Sequence, residues 1–172
     1  MSEETELAVV ERTNDQVVMI RELSGAMASS ANAEIICQLG EWSGQYGAGR
    51  ALLHCGFFLP DGSCLSPDAA YVAPEQLAGL SRSQLARFLR LAPAFVLELV
   101  SESERLTEAV AKMESWMANG AKLGWLVDPY TRQIHIFEAG AQPRIESGRT
   151  VAGSGPVQGF VLDAEEVWRC YE

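Results

Sequence analysis

The chain has 172 residues, of which 48% are hydrophobic and 21% charged. That is the make-up of one globular domain with a single core, and it excludes a disordered chain. The net charge of −10 argues against holding DNA by a broad basic surface, because such binding rests on Lys and Arg displacing counterions from phosphate.

No apolar run approaches the ~20 residues of a membrane span. The acidic start Met1-Ser2-Glu3-Glu4 is unlike a secretory signal. A cytoplasmic protein with no membrane partner is expected. Cys37, Cys55, Cys64 and Cys170 contain no C-x-x-C pair, and His54 and His135 are the only histidines, so no zinc site is expected. Cys55 and Cys64 flank a turn and could face each other across a hairpin, but a cytosolic location disfavours a disulfide.

Residues 7–12 and 16–20 read as two strands around the polar turn Thr13-Asn14-Asp15, an N-terminal hairpin within 1–24. Residues 23–33 are small and polar and read as a loop. Residues 33–46 read as a helix, with Ile35, Leu39, Trp42 and Tyr46 on one stripe and Glu34 beside it near the start. Residues 51–59 and 65–72 read as strands around Pro60-Asp61-Gly62-Ser63. The second carries Asp68 on the same face as Ala70 and Val72. A loop and helix over 74–91 carry Arg82, Arg87 and Arg90, and Pro93 then opens an extended segment.

Phe95-Val96-Leu97-Glu98-Leu99-Val100 reads as a fully buried strand with a glutamate in it. Removing an ionised carboxylate from water without a partner costs several kcal/mol, so such a group protonates, pairs or binds metal. A helix to Gly120 follows, with Leu106, Val110, Met113 and Met117 as its stripe, Ala109 and Trp116 widening that face, and Lys112 at its edge. Residues 123–127 and 133–138 read as strands around Asp128-Pro129-Tyr130-Thr131. A strand–helix–strand unit among antiparallel hairpins predicts an α/β (α+β) domain with a mixed sheet flanked by helices. Its boundaries are a single domain 1–172, with a core over 33–138 and a C-terminal extension over 139–172.

Glu34, Asp68, Glu98 and Lys112 are the residues with chemistry to offer. Three converging carboxylates need a cation, and an all-oxygen site suits Mg²⁺ or Mn²⁺. Such an ion serves phosphodiester hydrolysis, and a lysine beside it can act on the attacking water or on the developing charge. Each residue also has a plainer reading. Glu98 could reach solvent at a strand end, Asp68 could cap a turn, and Glu34 could be a first-turn helix charge. Lys112, four positions after Glu108, could form an exposed helix pair worth ~0.3–0.5 kcal/mol. For Arg82, Arg87, Arg90 and Arg105 a solvated helix face is the simpler reading. The four tryptophans read as core.

Several stretches together resemble the bacterial Uma-type family of restriction-endonuclease-like proteins. They are Asn32-Ala33-Glu34-Ile35, Leu59-Pro60-Asp61-Gly62, Ser66-Pro67-Asp68-Ala69, Phe95-Val96-Leu97-Glu98-Leu99, Lys112-Met113, Asn119-Gly120-Ala121, Leu123 through Pro129, and Gly159-Phe160-Val161-Leu162. They cover nearly the whole chain in order. The resemblance implies a PD-(D/E)XK-like fold and a Mg²⁺- or Mn²⁺-dependent DNA nuclease. Asp68 and Glu98 are then metal ligands, Glu34 is the helix glutamate, and Lys112 is a lysine displaced from the usual position, which Val100 occupies. Ser101-Glu102-Ser103 departs from the family's Ser-Pro-Ser. A homodimer or higher homo-oligomer is implied as well. The alternative from another class is a non-catalytic interaction or assembly domain that keeps the fold.

Overall fold

The computed structural model describes residues 8–12, 18–22, 25–47, 49–102 and 105–172, with only the backbone placed for 8–12 and 18–22. The elements in chain order are β1 (Ala8–Arg12), β2 (Val18–Glu22), α1 (Ala26–Tyr46), β3 (Arg50–Leu53), β4 (Phe57–Phe58), β5 (Cys64–Leu65), β6 (Ala69–Val72), α2 (Pro74–Leu77) and α3 (Arg82–Leu85). They continue with β7 (Phe95–Leu99), α4 (Leu106–Ala118), β8 (Leu123–Asp128), β9 (Gln133–Glu138), β10 (Arg144–Glu146), β11 (Thr150–Ala152), a 3-10 turn (Gly155–Val157), β12 (Val161–Asp163) and α5 (Ala164–Arg169).

A six-stranded sheet in the order β10-β9-β8-β7-β6-β3 forms the centre. Its pairs are antiparallel except β7–β8, which run parallel because α4 carries the chain back over the sheet between them. Strand alternation divides the core into two layers. Phe95, Leu97, Leu99, Trp125 and Ile136 pack with Ile35, Leu39 and Trp42 of α1 and with Val167 and Trp168 of α5. Val96, Val100 and Leu126 pack with Ala109, Met113 and Trp116 of α4. A glutamate between Val96 and Val100 must therefore face α4. No helix of the described residues is long and apolar enough to cross a membrane.

The expected strands 51–59 and 65–72 are each broken in two. His54 has φ +47, a left-handed bend that ends β3. The Ser66-Pro67-Asp68 segment separates β5 from β6. As a result β3 and β6 belong to the central sheet, whereas β4 and β5 join β1 and β2 in a second, four-stranded sheet. The register of β4–β5 sets Cys64 opposite Phe58 rather than opposite Cys55.

The tip of the β4–β5 hairpin docks on the end of α4. Asp61 accepts from Ser63 N at 2.9 Å, and Asn119 Nδ2 donates to Asp61 Oδ2 at 3.0 Å. Two further boundaries moved. α1 begins at Ala26, well before the expected start, because Ala and Ser are tolerated in a helix and nothing between Gly25 and Gly40 breaks it. The expected helix within 74–91 is two single turns, interrupted at Gly79 with φ +82.

Candidate active site

β7 brings Glu98 to the α4 face, where it is 2% exposed, and α4 turns Lys112 back toward it. Lys112 Nζ lies 3.0 Å from Glu98 Oε1 and 3.1 Å from Oε2. Trp116 Nε1, one helical turn further on, donates to Oε1 at 2.8 Å. Lys112 also donates to the Ser66 carbonyl at 3.0 Å, which ties the linker before β6 to the same point. Glu98 thus has a cation and an indole donor in a dry site. The exposed Glu108–Lys112 pair is replaced by a buried one, and Trp116 is core and polar partner at once.

Asp68 immediately precedes β6, and the β6–β7 register (Ala69 opposite Leu97), continued by one position, sets it across from Glu98. Its Oδ2 accepts from Leu99 N at 2.7 Å, which fixes the carboxylate to the end of β7. Oδ1 has two longer contacts, Asn32 Nδ2 at 3.4 Å and His54 Nε2 at 3.5 Å. His54 N also donates to Asp68 O at 3.3 Å, so the left-handed bend after β3 is what carries the imidazole there. Asp68 and Glu98 thus stand opposite each other in backbone register, Asp68 with a partner on α1 and Glu98 with partners on α4.

Glu34 is not brought to them. Its Oε1 accepts from Gln38 Nε2 at 2.9 Å, and Gln38 bonds both the N–H and the carbonyl of Asp163. Two residues along a helix turn a side chain through roughly 200°, and it is Asn32, two residues earlier, that faces Asp68. Among the described residues no three acidic, histidine or cysteine side chains form a group able to hold a metal ion.

Asn32, His54 and Trp116 are the neighbours that sequence reasoning did not assign to the site. The only signal for Asn32 was its place in Asn32-Ala33-Glu34-Ile35. Among the described residues, buried Asn32 Oδ1 finds no hydrogen-bond partner. The Asp68 carboxylate and the neighbouring Asn32 amide oxygen are hard oxygen donors, which suit Mg²⁺ or Mn²⁺ in kind.

A separate cleft of about 320 Å³, lined in part by Glu102, Tyr130, Arg132 and Tyr171, includes none of these site residues in its lining. Burial raises the Tyr171 phenol far above its ordinary value, with Tyr130, Asp68 and Cys170 adding to the effect in that order. Burial, then Glu102 and Asp128, also raises Tyr130.

A mixed sheet with helices on both faces, a buried Glu98–Lys112 pair between sheet and helix, and Asp68 opposite Glu98 in the register define a mixed α/β domain. Residues 3–165 match the Uma2 family, described as "Putative restriction endonuclease", and the chain belongs to that family. Its fold is similar to the crystal structure of a putative nuclease belonging to DUF820 from Anabaena variabilis ATCC 29413. The TM-score is 0.81 at 14% identity, covering 94% of this chain and 90% of that one. A cryo-EM DrdV–DNA complex aligns with 68% of this chain and 10% of its own, at 16% identity and a TM-score of 0.45. No curated protein matches.

Proposed function

We propose that this protein is a divalent-metal-dependent nuclease that hydrolyses phosphodiester bonds in DNA, with Asp68 and Glu98 as acidic ligands of Mg²⁺ or Mn²⁺. The observation that supports it most is the 2.7 Å bond from Leu99 N to Asp68, which ties the Asp68 carboxylate to the end of the strand that carries Glu98, in a member of a family described as putative restriction endonucleases. Asn32 Oδ1 supplies a further oxygen in place of Glu34, which is left out of the reading. Such an ion, when bound, neutralises charge on phosphate and makes a water a better nucleophile. Lys112 neutralises Glu98 and, when that carboxylate is engaged elsewhere, turns its proton donors to charge developing on the phosphate. A cytoplasmic homodimer completes the proposal, since cutting two strands calls for two sites.

The test is Mn²⁺ binding by calorimetry with cleavage of plasmid DNA, for the wild type and Asp68→Ala. Binding and cleavage by the wild type, both lost in the variant, are expected. A wild type that binds no Mn²⁺, or a variant that cuts equally well, overturns the assignment.

A second reading, a non-catalytic assembly domain, is favoured by the engagement of both Glu98 oxygens with Lys112 and Trp116 and by the net charge of −10. Absence of Mn²⁺ binding together with a stable dimer in light scattering would select it.

A further inference from the structure

The acidity of the chain is not evenly spread. Between Glu75 and Glu98 there is no Asp or Glu, and this stretch carries Arg82, Arg87 and Arg90. All three are exposed, and among the described residues none pairs with a carboxylate. Unpaired arginines in a strongly acidic protein hold their charge available for an anion from outside.

Aromatic rings lie among them. Phe88 is 57% exposed, an unusual place for a large apolar ring. Its centroid is 6.1 Å from that of Phe58, and the Arg90 guanidinium lies 4.9 Å from the Phe58 centroid on its face. Phe88, Arg87 and Arg90 border a shallow cavity of about 330 Å³ that Ser83 and Gln84 also line.

The surface is built rather than a stray loop. Leu89 is buried, its N–H donates to Gly56 O at 3.2 Å, and Phe58 N donates to Leu89 O at 2.8 Å. Anchored so, the segment directs Arg87, Phe88 and Arg90 outward. The Phe88 ring covers Gly56 closely, since a Cβ there would come within 2.8 Å of it. Phe57, next to Phe58, packs on Trp116, the indole that donates to Glu98.

We propose that Arg87, Phe88 and Arg90, with Phe58, form a docking surface for single-stranded DNA, with phosphates on the arginines and a base stacked on Phe88. An exposed ring between unpaired arginines matches a strand whose base faces are open, whereas a duplex hides those faces within its own stack. The choice of DNA as the polyanion rests on the nuclease reading.

The test is fluorescence anisotropy at low salt in EDTA, which prevents metal-dependent cleavage, with labelled oligo(dT) and an abasic strand of the same length. The wild type is expected to prefer oligo(dT), and Phe88→Ala to lose about tenfold on oligo(dT) while leaving the abasic strand unchanged. Arg87→Gln/Arg90→Gln is expected to weaken both and to reduce the salt slope by about 1.4. The arginine variant removes exposed side chains only, and melting curves run alongside check its fold.

No binding by the wild type overturns the proposal, as does equal affinity for the two strands. Unchanged affinity in folded variants also overturns it, as does displacement of oligo(dT) by poly-glutamate as readily as by unlabelled oligo(dT). Strand binding without Mn²⁺-dependent cleavage would sink the nuclease reading and leave this surface standing.

Discussion

Lys112 and Glu98, 14 positions apart in sequence, meet in the dry layer between α4 and β7, with Nζ 3.0 Å from Oε1. Their side chains are 7% and 3% exposed, so water screens the pair little. Removing one partner strands a buried charge, which costs about 3–5 kcal/mol, whereas removing both costs much less. Lys112→Met is therefore expected to lose that amount in urea denaturation, and Glu98→Gln/Lys112→Met to recover a large part. A loss under about 1 kcal/mol in the single variant would mean that the carboxylate finds water, as in an exposed pair.

Asn32 gives a metal-specific prediction. Its amide nitrogen is spent on Asp68, and among the described residues its oxygen finds no hydrogen-bond partner. If that oxygen supports a cation, Asn32→Ala should weaken Mn²⁺ binding by about tenfold or more, the scale seen when a group supporting a metal site is removed. Unchanged Mn²⁺ affinity in a folded variant would remove Asn32 from the site.

Packing between α4 and β8 supplies a stability prediction independent of function. A Cβ at Gly124 would run into Met113 Sδ, and Met113 is fully buried. Gly124→Ala is expected to cost about 1–3 kcal/mol by overpacking. Shortening the neighbour in the same chain, as Gly124→Ala/Met113→Ala, should relieve the clash, so the two costs should not add. Additive losses would show that the glycine is needed for another reason.

Tyr171 sets an alkaline limit. Its folded value is raised well above the ordinary 10.0, first by burial, then by Tyr130, Asp68 and Cys170. With a raised folded value, the native state keeps its proton while the unfolded state loses it. The contribution is intact below about pH 10 and is lost as pH rises from there toward the folded value. Tyr171→Phe should flatten the fall in melting temperature above that pH, and since the buried hydroxyl has no hydrogen-bond partner among the described residues, cost little at pH 7. An identical alkaline profile in wild type and variant would assign the fall to other groups.

Much of the central sheet was legible because its signals are local. Six residues, apolar but for Glu98, mark β7, and Pro93 opens the segment before it. Asp128 marks the turn before β9, where its Oδ1 accepts from Tyr130 N at 2.9 Å. For α4 the expected face was legible in Met113, Ala109 and Trp116, but its centre lies further toward Lys112 than the stripe of Leu106, Val110, Met113 and Met117 suggests. The buried face is Ala109, Lys112, Met113 and Trp116, while Leu106 is 39% exposed. Apolar periodicity cannot see that a lysine is welcome inside once a buried carboxylate waits on the adjacent strand.

The sequence by itself determined the mixed α/β class, the buried glutamate strand and the short set of residues with chemistry to offer. Periodicity and turn chemistry act over a few residues and are written in their order. Only the tertiary structure decided which of those residues meet. Strand register set Asp68 across from Glu98, the rotation of α4 gave Glu98 its lysine, and the phase of α1 presented Asn32 rather than Glu34 to Asp68. Each of those choices depends on contacts between segments far apart in the chain.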